Sequence, residues 1–322
     1  MIENIPTHVI AGPLGAGKTT LLRQLLGQRP QHEQWGILIN EFGQIGIDAA
    51  LLAADAQGVS LAEVPGGCLC CVNGLPFQVG LSRLLRKARP TRLFIEASGL
   101  GHPLELQKQL AAPPWQGVLA LQPLVMVLDA GRLASGARLA DAQQRALPEA
   151  GLLVLNKSGH LDQRARRAVE ALLPDCTKQW CDQADIPFDR LPAREAAPSA
   201  PARLPPDSSA AARLLPLWRS TTDWHCITQS LDAYYSIGWR IHPDQQFDLD
   251  LLHRWLATHP WMRAKGVVHS ARGWVSFNAL PGEIIAWQPT ARRQDNRIEL
   301  ITAHRPDQAA LHGGLRAVAG ND

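Results

Sequence analysis

Short apolar runs alternate with amphipathic stretches from Thr7 to about Leu173. The runs Thr7–Ala11, Trp35–Ile39, Arg92–Ile95, Leu124–Leu128 and Leu152–Leu155 predict strands, and the stretches between them predict helices. Helical spacing is plain in Leu21, Leu22, Leu25 and Leu26 after the first run, and in Leu81, Leu84 and Leu85 before the Arg92 run. Strand and helix in alternation build a mostly parallel sheet covered on both faces, so the expected fold class is α/β with a doubly wound sheet.

Near residue 191 the pattern breaks. Pro, Ala and Ser with scattered Arg fill 191–217, including Pro192, Pro198, Pro201, Pro205 and Pro206, a composition too poor in apolar side chains to order itself. This predicts a linker between a first domain over 1–190 and a second over 218–322. The second is rich in Trp. Its runs Val267–Val268, Trp274–Phe277 and Ile284–Trp287 predict strands set apart by Gly or Pro turns, and a helix is expected around Leu249 to Ala257. Together these make a smaller C-terminal α+β domain. Its Trp, Tyr and Arg residues suit an interface with a partner, and Trp serves equally well as core.

The length of 322 residues agrees with two domains. A net charge of +3 with scattered basic residues argues against nucleic acid or an anionic membrane as partner. No apolar run reaches the roughly 20 residues that span a bilayer, and the N-terminus lacks the pattern of a secretion signal, so a cytoplasmic protein is expected. Of the six cysteines, Cys68, Cys70 and Cys71 fall within four residues. In a reducing compartment such clustering points to thiolate chemistry rather than disulfides.

Residues 12–20, Gly12-Pro13-Leu14-Gly15-Ala16-Gly17-Lys18-Thr19-Thr20, fit the pattern G-x-x-x-x-G-K-[ST] between an apolar strand and an amphipathic helix. Successive backbone N–H groups there converge on phosphate oxygens, Lys18 offers a charge to the β and γ phosphates, and the Thr19 hydroxyl can ligate Mg²⁺. The competing reading is a Gly-rich turn at a helix start. Phosphoryl transfer further needs a carboxylate near magnesium and a segment that senses the γ-phosphate. Glu96 leaves the Arg92 strand just before Ala97-Ser98-Gly99, so it can supply the first, with the Gly99 N–H near the γ-phosphate. A strand-end Glu in solvent is the bland alternative. The segment Asn40–Asp48, with Glu41 and Asp48 among its acids, suits a switch; taken alone it is an ordinary loop.

Pro65-Gly66-Gly67-Cys68-Leu69-Cys70-Cys71 sets three soft ligands in a Gly-rich loop. Thiolates suit Zn²⁺ and Cu(I), and three leave a tetrahedral zinc shell incomplete, which fits a protein that passes metal onward. Small apolar residues filling a loop, or a redox sensor, are the alternatives.

These blocks resemble the CobW-type GTPases, P-loop metal chaperones and insertases related to the nickel-insertion GTPases of urease and hydrogenase. The resemblance rests on 12–20, NEFGQIGID at 40–48, GCLCC at 67–71, EASGLGHP at 96–103 and LNKSGHL at 155–161, and Arg263-Ala264-Lys265-Gly266 extends it into the tail. It implies that Lys18 and Thr19 bind triphosphate and magnesium, and that Glu96 and Gly99 form a second switch. It further implies that Cys68, Cys70 and Cys71 belong to a metal site, that Glu41 lends an oxygen to transferred metal, and that Asp48 is a switch acid near the nucleotide. Asn156 and Lys157 match the first half of the family's guanine-reading N-K-x-D element. Its aspartate is missing, because the fourth residue is Gly159. GTP is then expected to be preferred less exclusively, with Asp162 as a stand-in if the loop bulges. The eleven histidines are dispersed, which favours delivery over storage.

The expected activity is GTP hydrolysis coupled to binding of zinc, with cobalt, nickel and iron as alternatives, and delivery of the metal to a client metalloprotein. Lys18, Glu96 and Asp48 are the expected catalytic groups, and Mg²⁺ the expected cofactor, held by Thr19 and Glu96. A homodimer is expected in the nucleotide-bound state. The rivals are a metal sensor or structural zinc protein with no turnover, and a P-loop ATPase or kinase of relaxed base choice.

Overall fold

The computed structural model describes residues 2–40, 58–64, 75–195, 220, 223–231, 234–290 and 295–319. Contacts divide these into two units, the first holding residues through 195 and the second those from 220 onward.

The first unit is built on β1 (Ile5–Ala11), α1 (Lys18–Gly27), β2 (Trp35–Asn40), β3 (Val59–Val64), α2 (Leu75–Ala88) and β4 (Arg92–Glu96). Then follow α3 (Pro103–Ala111), β5 (Leu119–Leu121), β6 (Leu124–Asp129), α4 (Ala130–Ala134), α5 (Asp141–Ala146), β7 (Ala150–Asn156), α6 (Gln163–Glu170) and β8 (Lys178–Trp180). Among the described residues the strands form a sheet in the order β3-β2-β4-β1-β6-β7-β8, with β5 also paired to β1. Every pairing is parallel. Strands buried on both sides favour apolar side chains at most positions, which is why these runs do not alternate regularly with polar residues. Val9 and Ile10 point to opposite faces, yet both are fully buried. Each side chain of that size contributes about 1.5–3 kcal/mol by leaving water. The leucines that set the helical spacing dock on this sheet: Leu21, Leu22 and Leu25 from α1, and Leu81, Leu84 and Leu85 from α2.

The chain stays attached to the first unit past residue 190. Leu191 is buried and the Arg194 N–H donates to Gln122 Oε1 at 2.6 Å. The predicted linker therefore begins with residues that are packed, because Leu191 offers an apolar side chain that the rest of the stretch lacks.

The second unit is an antiparallel sheet in the order β13-β12-β11-β14-β10-β9. Its strands are β9 (Trp224–Leu231), β10 (Tyr234–Ile241), β11 (Arg263–Ser270), β12 (Gly273–Ala279), β13 (Gln288–Pro289) and β14 (Asn296–Thr302). Helices α7 (Leu249–Ala257) and α8 (Gln308–Ala317) complete it. Trp239 and Trp255 are buried in one core with Phe247, Leu252 and Ile298, so these two tryptophans serve packing. Lys265 sits directly opposite Glu299 on the neighbouring strand, and the buried pair meets at 3.2 Å.

The predicted strand at Ile284–Trp287 is absent. Residues 284–287 are irregular, Ile284 is 89% exposed, and the ladder to β12 begins only at Gln288. Ile285 and Trp287 anchor this segment to the core as single side chains. The apolar run reflects that anchoring. Pro289, lacking an N–H, then fits the sheet edge.

His8 lies on β1, buried and stacked on Phe94 at 5.4 Å, with Nε2 accepting from Arg92 Nη1 at 3.3 Å. Burial, reinforced by the Arg92 charge, pulls its pKa down from 6.5 to about 4. The native state thus holds it neutral, while the unfolded chain takes up a proton below pH 6.5. The stability it contributes is complete above that value and is lost as pH falls toward 4. Between pH 7 and pH 5, His8→Gln is expected to lose about 2 kcal/mol less unfolding free energy than the unaltered protein, as read by urea denaturation.

Candidate functional site

Parallel strands release their loops at one edge, and the candidate residues gather there. Register aligns Ile10 of β1 with Glu96 of β4, and Asp129 of β6 with Asn156 of β7. The P-loop therefore leaves β1 between a carboxylate on one side and the Asn156 amide on the other.

Residues 12–17 turn sharply into α1. Gly17 has φ of +109°, and a Cβ there would lie 2.3 Å from Asn156 Nδ2, so both the backbone conformation and the space require glycine. Lys18 is buried, and its ammonium donates to the Gly12 and Pro13 carbonyls at 3.0 and 3.1 Å. This places a cation over the loop. The Thr19 hydroxyl donates to both oxygens of Glu96, at 2.8 and 3.1 Å. Glu96 is 1% exposed and Thr19 is half-buried, so a buried carboxylate meets a hydroxyl that is open to solvent on one side. Hard oxygen donors of this kind match Mg²⁺, which prefers carboxylate, hydroxyl and water. Thr20, next along α1, is half-buried.

Beyond Glu96 the chain passes directly over the P-loop. A Cβ on Gly99 would meet the Leu14 backbone nitrogen at 2.8 Å, so only glycine allows this approach. Gln143 on α5, buried, donates to the Gly99 and Gly101 carbonyls at 3.5 and 3.3 Å. It props the loop from behind, and nothing in the sequence marked it.

On the opposite side, Asn156 Nδ2 donates to the Ala16 carbonyl at 2.8 Å, and its Oδ1 accepts from the Ala184 N–H at 2.7 Å. One side chain thus ties the P-loop to residues 181–184. Lys157 takes a left-handed backbone at φ +58° and pairs with Asp129 at 2.9 Å. Gln183 and Ala184 are also left-handed, at φ +54° and +51°. Strain of this order, about 1–2 kcal/mol per residue, collects where a loop must hold one shape. Asp162 does not bulge toward this loop. It caps α6 by accepting from the Ala165 N–H at 2.7 Å. A carboxylate already committed to a helix terminus is not the stand-in for the residue missing at 159. The carboxylate beside Gly159 is that of Asp182, whose Oδ1 accepts the Gly159 N–H at 3.0 Å.

Cys68, Cys70, Cys71, Glu41 and Asp48 lie outside the described residues. The strands that lead to them are described, and register places Glu63 of β3 and Glu96 of β4 on either side of Ile39. At about 4.8 Å per strand spacing, the backbone entering the cysteine segment runs about 10 Å from the backbone of Glu96. Among the described residues, no group of three His, Cys, Asp or Glu side chains forms a metal site. Cys181 is buried, which pushes its thiol up to about 11 and keeps it protonated.

The family profile described as CobW/HypB/UreG, nucleotide-binding domain, matches residues 6–181, and the Cobalamin synthesis protein cobW C-terminal domain profile matches 236–319. The chain is 33% identical to "Zinc chaperone YeiR" of Escherichia coli (strain K12), over 96% of each chain. It is 33% identical to "Zinc chaperone CobW" of Sinorhizobium sp, over 51% of this chain and 54% of that one. The Zn(II)-bound YjiA GTPase structure from E. coli aligns over 98% of this chain and 99% of that chain, with 16% identity and a TM-score of 0.43.

The Asn156 bridge sets a test. Ala16 and Ala184 are both buried, so Asn156→Ala leaves a carbonyl and an N–H without partners. The expected cost is about 2–4 kcal/mol of unfolding free energy. Urea denaturation of the variant measures it, and unchanged stability would mean that the bridge is not formed in solution.

Proposed function

The chain belongs to the CobW/HypB/UreG family, and from that premise we propose that it is a GTP-hydrolysing metallochaperone that carries zinc to a client metalloprotein in the cytoplasm. The observation that carries this reading is the Thr19–Glu96 hydrogen bond at the start of α1, with Glu96 buried and Thr19 half-buried, at the same sheet edge from which the cysteine segment departs. The names of the similar proteins, zinc chaperones among them, support it.

In this reading Gly12, Gly15, Ala16, Gly17, Lys18, Thr19 and Thr20 bind the triphosphate, Asn156 and Lys157 border the base, and Thr19 with Glu96 holds magnesium. When bound, Mg²⁺ neutralises charge on the phosphates. The chain's own groups do the rest. The Lys18 ammonium and the backbone N–H groups of the loop stabilise charge on the transferred phosphoryl group. Gly99 carries its N–H to the γ-phosphate, and Asp48 acts from the first switch. Turnover by one chain alone is slow, and a client or a second copy completes the site.

The cargo is zinc, taken by Cys68, Cys70 and Cys71 with an oxygen from Glu41. Glu96 sits on β4 and the cysteine segment follows β3, with β2 between them. A displacement at the γ-phosphate therefore reaches the thiolates across the end of β2, the strand between the two loop exits. Such coupling is reciprocal: whatever nucleotide does to zinc affinity, zinc does to nucleotide affinity.

Zinc affinity measured by chelator competition should differ at least tenfold between the GDP state and the state with a non-hydrolysable GTP analogue. Equal affinity in both states would exclude coupling. Phosphate release over many turnovers distinguishes an enzyme from a static nucleotide-binding sensor. The variant with Cys68→Ser, Cys70→Ser and Cys71→Ser should lose zinc and keep GTP binding.

A further inference from the structure

We propose that Asp182, reaching in from a different loop, does the guanine-reading work that the sequence withholds at Gly159. The inference rests on the reading of residues 12–20 as a triphosphate site, since the base must lie beside that loop for Asp182 to reach it.

The geometry at Gly159 is specific. A Cβ built on this glycine would lie 2.5 Å from Asp182 Oδ2. In an aspartate, bond lengths put each carboxylate oxygen about 2.4 Å from its own Cβ. One Asp182 oxygen therefore lies as far from that Cβ position as the oxygen of an aspartate at 159 would. The other, Oδ1, is fixed by the Gly159 N–H at 3.0 Å. Glycine is what makes this possible, because any side chain at 159 would displace the incoming carboxylate.

The loop that carries Asp182 is fastened along its length. The Cys181 N–H donates to the Leu155 carbonyl at 3.0 Å, continuing the β7–β8 ladder. The Cys181 carbonyl accepts from Ser158 twice, from N–H at 3.2 Å and from Oγ at 3.0 Å. Ala184 is held by Asn156, and from the end of α1 the capping residue Gln28 donates through Nε2 to the Ile186 carbonyl at 2.9 Å. The two left-handed residues after Asp182 turn the chain back toward α1. Asp182 is thus an acceptor on a backbone-anchored loop, just past the carboxyl end of the edge strand β8 and beside the loop that follows β7. The Asp182 side chain is exposed to incoming ligand.

Guanine chemistry fits a lone carboxylate. Its Watson–Crick edge presents two neighbouring donors, N1–H and the 2-amino group, and a carboxylate accepts both at once. Adenine presents an unprotonated N1 at that place, which repels a carboxylate. Hypoxanthine keeps N1–H and lacks the amino group, while xanthine replaces the amino group by a carbonyl. A carboxylate reader therefore ranks GTP first, ITP next, and ATP and XTP last.

Binding of these four triphosphates to the full-length protein, in the presence of Mg²⁺, tests the assignment. The unaltered protein should bind ITP about tenfold to a hundredfold more weakly than GTP, and ATP more weakly still. This series needs no variant, so it stands even if a substitution impairs folding. Asp182→Asn retains an oxygen for the Gly159 N–H and offers the base an amide donor. It should lose about tenfold to a hundredfold in GTP affinity and gain at least tenfold for XTP. A gain for xanthine is something that a merely structural role would not produce. Unaltered protein that binds triphosphates without separating guanine from adenine overturns the inference alone, as does Asp182→Asn with an unchanged GTP-to-XTP ratio. Unaltered protein that binds none of the four overturns the triphosphate site itself, and the inference falls with it.

Discussion

A carboxylate that is 1% exposed has given up its hydration, and the only way such a group persists is to be met by donors or cations. Glu96 is met by the Thr19 hydroxyl. That contact joins the end of β4 to the first turn of α1, and so it fixes where the P-loop must run between them. Once this is set, Gly99 has to cross the Leu14 backbone at a distance that no side chain permits, and Gln143 has to hold the crossing from below. On the far side Asn156 performs the matching task, and it does so through an amide that meets Ala16 and Ala184 together. Residues 12–20 are therefore gripped from two strands, each grip made by one buried polar side chain.

How legible this was in the sequence depended on whether a feature was local. The strands that lie in the middle of the parallel sheet are continuous apolar runs, and Thr7–Ala11 and Leu124–Leu128 stood out for that reason. β3 carries Ser60 and Glu63 and is paired on only one side among the described residues, so its pattern is mixed and it escaped notice. β9, an edge strand, mixes polar with apolar residues as half-exposed strands do, whereas β14 is buried on both faces and carries polar residues such as Glu299 that find buried partners. Ile284–Trp287 misled in the other direction, since a strand is defined by a ladder partner and not by the apolar content of its own residues.

The P-loop and Glu96 were legible because they depend on fixed spacing after a strand. Gln143 and Asp182 were not, because their significance lies in contacts across 42 and 23 positions of sequence. Gly159 gave half of the signal: a missing aspartate was visible, while the identity of its neighbour in space was not. Asp162, close in sequence, proved to have the ordinary task of ending a helix, which an acidic residue at an N-cap does well.

The same loop geometry ties two positions of the chain to one another. With Asp182 Oδ2 2.5 Å from where a Cβ at 159 would stand, an aspartate introduced at 159 would crowd and repel the carboxylate already there. A chain lacking the carboxylate at 182 would leave the Gly159 N–H without that acceptor. Gly159 and Asp182 are therefore interdependent: a substitution at either one changes what the other can hold.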